Sequence, residues 1–245
     1  MVNLFRLSLL LCSLVLFMGC DKNGDTATPA MPRVLVFSKT EGYRHESIPA
    51  GIAMFEQHAS DWKIAPMYSE DAAMFNADTL KRYEIIALLS TTGDFLTENQ
   101  QDALKAFVQS GGNILGIHAA ADAEYAWPWY GQMLGGVFSS HPAIQEAKCH
   151  VLMPAHASAV GLPAPWQRTD EWYNFTGLQA DNKVVISLDE STYTGGNNGD
   201  PHPISWYREF DGGKIYYTGM GHAASSYSEP LFIKHIGGAL EWLKQ

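Results

Sequence analysis

The chain has 245 residues, 16 of them Lys or Arg and 26 Asp or Glu, for a formal net charge of −10 with neutral histidines. So acidic a balance excludes a protein that holds nucleic acid by neutralising phosphates. The three cysteines, Cys12, Cys20 and Cys149, leave no disulfide framework for the folded part, so stability must come from an apolar core.

The chain opens on Arg6 and an apolar stretch at 7–18, which has the length and basic start of an export signal and is too short to read as a membrane span. It closes on Phe17-Met18-Gly19-Cys20, similar to a bacterial lipoprotein processing box in which Cys20 becomes the lipidated first residue. The alternative is an ordinary cleaved signal with an incidental Cys20. Both readings take the protein out of the cytoplasm. The first places it in the cell envelope, lipid-anchored to a bacterial membrane and on the periplasmic face of a Gram-negative host. Residues 1–20 are thus the signal ending at the lipidated Cys, residues 21–32 a polar, Pro-containing tether, and residues 33–245 one domain.

Residues 33–38 read as a first buried strand, and apolar spacing at Ile52, Phe55 and Ala59 predicts a helix over 48–59 after a loop at 39–47. A strand over 62–68, a helix near 78–82 and a strand over 85–89 continue a βαβαβ pattern. Thr97-Glu98-Asn99-Gln100 is a capping box, in which the Thr hydroxyl and Gln amide satisfy free N–H groups. It starts a helix over 98–109 that Ser110-Gly111-Gly112 stops. Asn113-Ile114-Leu115 then leads into Gly116-Ile117-His118-Ala119-Ala120, a buried strand that breaks sharply and leaves one side chain, His118, at the sheet edge. Right-handed crossovers assemble these units into an α/β fold, an open, mostly parallel sheet with helices on both faces and ligands at the carboxyl ends of the strands. The second half is β-rich and long-looped, with strands expected at 147–153, 183–188, 204–210 and 215–218 and a hairpin turn at Asp211-Gly212-Gly213. A helix over 230–243 closes the chain on Phe232, Ile236, Ala239, Leu240 and Leu243. Loops this long in a compact domain usually serve a site.

Many hydrolases place Ser or Cys where this chain has His118, and imidazole is a proton shuttle or metal ligand far more readily than an acyl acceptor. His45 lies in the loop after the first strand, and His222 follows Thr218-Gly219-Met220-Gly221 at the end of another. With these strand ends pointing one way, three imidazoles converge on one crevice. Three protein ligands and an open position are the arrangement of a catalytic zinc site, which makes His45, His118 and His222 the candidate ligands of a divalent metal. Without a metal, the same histidines supply an acid and a base near neutral pH. No nucleotide cofactor is expected.

His118, His222, Glu171 and Asp170 are the candidate catalytic groups. As neighbours on an extended segment, Asp170 and Glu171 face opposite sides, so they cannot be each other's partner in a two-carboxylate glycosidase. One reaches the crevice, Glu171 by preference, while the other fixes a loop or pairs with Arg168. Asp189 and Glu190 face the same objection. Arg44 is a candidate for a carboxylate or hydroxyl-rich ligand, or else bridges to Glu41 or Glu46. Of the loop aromatics, Trp172, Tyr173 and Tyr193 are expected to meet a sugar ring, with His202 a further ligand candidate. Trp127, Trp129 and Trp206 read as packing residues, His141-Pro142 as a rigid turn, and His58, His150, His156 and His235 as surface or packing residues.

Several stretches together resemble the trehalose-utilisation (ThuA-like) family. They are Thr40-Glu41-Gly42-Tyr43-Arg44-His45, Gly116-Ile117-His118, Trp127-Pro128-Trp129-Tyr130-Gly131 and His141-Pro142, followed by Asp170-Glu171-Trp172-Tyr173-Asn174-Phe175, Asp189-Glu190-Ser191-Thr192-Tyr193, His202-Pro203-Ile204-Ser205-Trp206 and Tyr217-Thr218-Gly219-Met220-Gly221-His222. The resemblance covers about residues 33–243 and rests on the order and spacing of the motifs. It implies a flavodoxin-like, class I glutamine amidotransferase-like fold. In that superfamily the elbow carries a catalytic Cys and a His follows a later strand. Here the elbow is His118 and the later position matches His222, so the resemblance implies no glutaminase chemistry through a thioester. The family's association with sugar catabolism implies an enzyme that cleaves or modifies a glycoside or keto-sugar derivative, with a sugar ligand and the anchoring membrane as partners. The rival is a non-catalytic carbohydrate-binding lipoprotein that kept the shell and lost the nucleophile. An amidase with another nucleophile is disfavoured, because Cys149 lies in a predicted strand and no Gly-x-Ser-x-Gly occurs.

Overall fold

Strand and helix alternate through the first half of the described chain, residues 31–245 of a computed structural model. The expected signal, Cys20 and all but the end of the tether lie outside the described residues. β1 (Arg33–Phe37), α1 (Ile48–His58), β2 (Ala65–Ser69), α2 (Ala77–Leu80), β3 (Ile85–Leu89), α3 (Glu98–Gln109) and β4 (Asn113–Ile117) follow in order. β1, β3 and β4 are apolar and buried along almost their whole length, as strands covered on both faces must be. β2 stands at the sheet edge and is only half-buried, so it tolerates Pro66, whose missing N–H leaves no gap on an open edge. α3 begins at its capping box, where the Thr97 N–H donates to Gln100 Oε1 at 2.9 Å.

The second half comprises α4 (Pro128–Leu134), β5 (Val137–Ser140), β6 (Gln145–Val151), β7 (Trp166–Asp170), β8 (Asn174–Thr176), β9 (Lys183–Leu188), β10 (His202–Phe210), β11 (Gly213–Thr218) and α5 (Pro230–Leu243). The main sheet runs β2-β1-β3-β4-β11-β10-β9-β6-β7. Its first five strands are parallel, and the others pair antiparallel. β5 and β8 form a separate antiparallel ribbon. The parallel order is that of a flavodoxin-like, doubly wound sheet. The crossovers β1 to β2 and β3 to β4 run in opposite directions across it, which puts α1 and α3 on opposite faces. The hairpin between β10 and β11 turns on Asp211 and Gly212, both left-handed at φ +50° and +104°.

Four elements, α4, β5, β7 and β8, stand where the sequence pattern suggested loops. β7 shows why. Its buried face is Trp166, Arg168 and Asp170, with Gln167 and Thr169 outside, so the strand alternates correctly while reading as polar.

Two features of the sheet set the site. β1, β4 and β11 deliver their carboxyl ends to one edge. β7 points the same way and lies four strands beyond β11 in the sheet, yet its last residue touches the loop after β11. Asp170 accepts from the backbone N–H groups of Gly221 and His222 at 2.9 and 3.1 Å. Twist accumulates from strand to strand, and here it curls the antiparallel half back over the end of the parallel half.

Candidate active site at the strand ends

β4 ends at Ile117 and the chain enters a single 3₁₀ turn, His118–Ala121. His118 has φ +51°, a left-handed conformation that a residue with a Cβ adopts only where its surroundings impose it. Two buried tyrosines do so: Tyr217 Oη donates to the His118 carbonyl at 2.8 Å and Tyr130 Oη to the Ala120 carbonyl at 2.9 Å. The ring of His118 is fully buried, with Nδ1 2.9 Å from the Gly219 carbonyl oxygen. A carbonyl only accepts, so Nδ1 carries hydrogen and the neutral ring presents its Nε2 lone pair. Nε2 faces His222 Nδ1 at 3.2 Å and Glu171 Oε2 at 3.4 Å.

His45 enters from the loop after β1, buried, with its ring edge-on to His118 and His222 at centroid distances of 4.8 and 5.2 Å. Burial, then the neighbouring imidazoles of His118 and His222, push its pKa down to about 3, so the ring stays neutral near pH 7. Its buried Nδ1 has no hydrogen-bond partner among the described residues. His222 follows Gly221, which turns the loop at φ +111°. His222 Nδ1 lies 3.1 Å from Glu171 Oε2, and this hydrogen bond raises the His222 pKa against the opposing effect of burial. Burial works to raise the Glu171 pKa, but the two imidazoles packed against its Oε2, those of His118 and His222, outweigh it and hold the carboxylate well below its usual range. One donor atom from each of His45, His118, Glu171 and His222 thus falls within 4.8 Å of all the others.

This donor set fits a divalent cation. Hydrogen-bonding one imidazole nitrogen to a carbonyl is how ligand histidines are oriented, and His118 is held in that way. Its Nε2 and Glu171 Oε2 are then two electron-pair donors facing each other at 3.4 Å, an arrangement that calls for a proton or a cation between them. The separations among His118 Nε2, His222 Nδ1 and Glu171 Oε2, at 3.2, 3.4 and 3.1 Å, match the roughly 3.3 Å edge of a tetrahedron with zinc bonds of about 2.0–2.1 Å. His45 adds a fourth protein donor through one of its ring nitrogens.

A cleft of about 370 Å³ opens onto the cluster, walled by Tyr43, Asp122, Phe138, His141 and Tyr173. A larger depression of about 630 Å³, near Tyr83, Phe107 and Lys214, lies at the opposite ends of the strands and holds none of the histidines. His141 and Asp122 were not anticipated as cleft residues. His141 sits on a loop beside a proline, where no periodicity says which sheet edge it will meet, and only its place among the family motifs hinted at a role.

Of the expected site residues, the fold brings together His45, His118, Glu171, His222 and Tyr173, whose ring lies 4.4 Å from that of His118. The others fall outside the cleft. Asp170 is not an acid or a base here but a saturated brace. Its Oδ1 accepts from the N–H groups of Glu171 and His222, and its Oδ2 from Gly221 N–H and from Arg168 Nη2 at 3.0 Å. Trp172 is fully buried and its Nε1–H donates to the Gln145 carbonyl, so it packs the core rather than a sugar. His202 is likewise buried. It meets Glu190 Oε1 at 2.7 Å and Tyr193 Oη at 3.0 Å, and its Nε2 donates to the Tyr173 carbonyl, so Tyr193 and His202 form a joint behind the cleft wall. Arg44 turns outward to Glu70 at 2.6 Å, pairing with neither Glu41 nor Glu46. Cys149 is buried in β6, where burial pushes its thiol up to about 12.

A comparison with curated protein sequences finds no match. A ThuA-like protein from Bacteroides uniformis superposes with a TM-score of 0.75 at 23% identity, over 90% of this chain and 94% of that one. A ThuA-like protein from Parabacteroides merdae gives 0.71 at 18%, over 86% and 89%. The cold-adapted β-galactosidase from Rahnella sp. R3 gives 0.56 at 13%, over 87% of this chain but 31% of that enzyme. At these identities the superpositions show a shared fold. The sequence itself goes further: the model of the family described as ThuA, trehalose utilisation, matches residues 33–243. With an amidotransferase-like sheet, a histidine at its elbow and a family match that spans the whole folded part, the chain belongs to the ThuA family.

Proposed function

We propose that this protein is an enzyme of carbohydrate metabolism whose His45, His118, Glu171 and His222 hold a divalent ion, zinc by preference, and which cleaves or modifies a glycoside or keto-sugar derivative. The observation that carries the reading is the convergence of four donor atoms within 4.8 Å at the base of an open cleft. When bound, the ion would polarise a sugar oxygen as a Lewis acid. The chain's own groups do the rest. Tyr43, Phe138 and Tyr173 offer ring faces for the C–H side of a pyranose, and the neutral His45 and the ionised Glu171 keep the cluster rich in electron pairs. A keto sugar suits this site, because its carbonyl acidifies the neighbouring C–H and opens an eliminative route that needs only a base and an acid. The sequence around Cys20 supports an envelope location through a lipid anchor.

Elemental analysis of the purified protein is expected to find about one zinc per chain, and His118→Ala to abolish it together with turnover of trehalose or its keto derivative. A metal-free protein whose turnover survives His118→Ala overturns the reading. Sugar binding without turnover, unchanged in His118→Gln, would mark a carbohydrate-binding protein instead. Loss of fatty-acid labelling in Cys20→Ala tests the anchor.

A further inference from the structure

The metal cluster uses one oxygen of Glu171 and leaves the other free. Oε2 faces His118 and His222, whereas Oε1 lies 3.2 Å from Nδ1 of His141, on the loop between β5 and β6. The same Nδ1 lies 2.9 Å from the Pro142 carbonyl oxygen. Both neighbours are acceptors, so Nδ1 carries hydrogen and the lone pair of the neutral ring sits on Nε2. The His141 side chain is 43% exposed and lines the cleft, between the rings of Phe138 and Tyr173 at centroid distances of 6.0 and 6.2 Å. Nε2 has no protein partner among the described residues, while the rings of His118 and His222 are committed to each other and to Glu171.

We propose that His141 is the proton-transfer residue of this cleft, fixed in its basic tautomer by Glu171 Oε1 and the Pro142 carbonyl. This rests on the functional reading above and adds the identity of the base. A carboxylate that holds Nδ1–H and leaves Nε2 to the ligand is the arrangement by which an oriented imidazole takes a proton from a substrate. Glu171 is then shared, one oxygen serving the three-histidine cluster and the other the base. With a keto sugar, Nε2 removes the proton on the carbon next to the carbonyl, and the C–H electron pair forms an enolate. The enolate pair returns to expel the oxygen on the β carbon, whose C–O bond breaks with its electrons on oxygen. That oxygen takes the proton from Nε2, so His141 returns to its starting form and no oxidant is consumed.

Three measurements on the zinc-loaded protein test this. Long-range ¹H–¹⁵N spectra are expected to show His141 with a protonated Nδ1 and a bare Nε2. Diethyl pyrocarbonate, which acylates bare imidazole nitrogens, is expected to modify His141 while His45, His118 and His222 stay protected. His141→Ala is expected to lower kcat for the keto derivative of trehalose by roughly 10²–10⁴-fold with zinc content and KM unchanged, and added imidazole to restore part of the rate. A His141 protonated at Nε2, protection of His141 by the ion, or an unchanged kcat in His141→Ala overturns the proposal. A wild-type protein that holds no zinc or turns over no sugar overturns the functional reading instead, and the tautomer and the acylation pattern then decide the role of His141 separately.

Discussion

Arg168 and Asp170 sit 3.0 Å apart with side chains only 4% and 0% exposed, and the guanidinium also meets Ser226 Oγ, Glu229 and the ring faces of Trp166 and Phe232. Removing one member of such a pair strands the other charge away from water. Asp170→Ala is therefore expected to lower the unfolding free energy in urea by about 3–5 kcal/mol, and a loss below about 1 kcal/mol would show that the brace is dispensable. A second buried residue gives a pH signature. His235 donates from Nδ1 to the Ser158 carbonyl at 2.9 Å, and burial pushes its pKa down to about 4. Between about pH 6.5 and 4 the unfolded chain holds a proton on this residue that the folded one does not, so stability falls as pH falls. The drop amounts to about 3 kcal/mol by pH 4. His235→Gln is expected to flatten the slope across that window in urea titrations, while His45 keeps its own contribution in the same direction.

The turn that carries His118 depends on β11, because the hydroxyl of the fully buried Tyr217 supplies the bond to the His118 carbonyl. Tyr217→Phe keeps the ring and removes the donor, and is expected to cost about 1–2 kcal/mol in thermal or urea unfolding, since the carbonyl is then buried without it. Elements whose signals are local are legible in the sequence itself. β3, α3, β9 and α5 match their expected bounds residue for residue, because branched apolar runs, the Thr97 capping box and the Gly111-Gly112 stop each act within a few residues. β7 was not legible, since two of the three residues on its buried face are charged and the partner for Asp170 lies across the curled sheet. The three histidines were legible because strand ends in a doubly wound sheet share an edge. Tyr193 and His202 were misread because the chain between them doubles back onto β8. There Asn198 pairs with both the N–H and the carbonyl of Phe175, which turns that loop behind the cleft.

At the scale of the molecule, one buried cysteine among the described residues leaves cohesion to the apolar core that runs through both halves of the sheet. The melting temperature is expected to be the same with and without a reductant, and Cys149 to react with a thiol reagent only upon unfolding; fast labelling of the native protein would contradict its burial. The fold class followed from the first 120 residues alone, whereas the antiparallel extension that completes the cleft has no comparable repeat. That extension matters most through its last strand. His45 and His118 leave the ribosome with the parallel half, but Glu171 comes from the far edge of the sheet and His222 from the strand that joins the two halves. A half-made chain therefore offers only two of the four converging donors and lacks Glu171, too poor a nest to capture a stray cation. On the proposed reading, ion uptake would be the final stitch of assembly, and a bound ion a certificate that the whole sheet has closed.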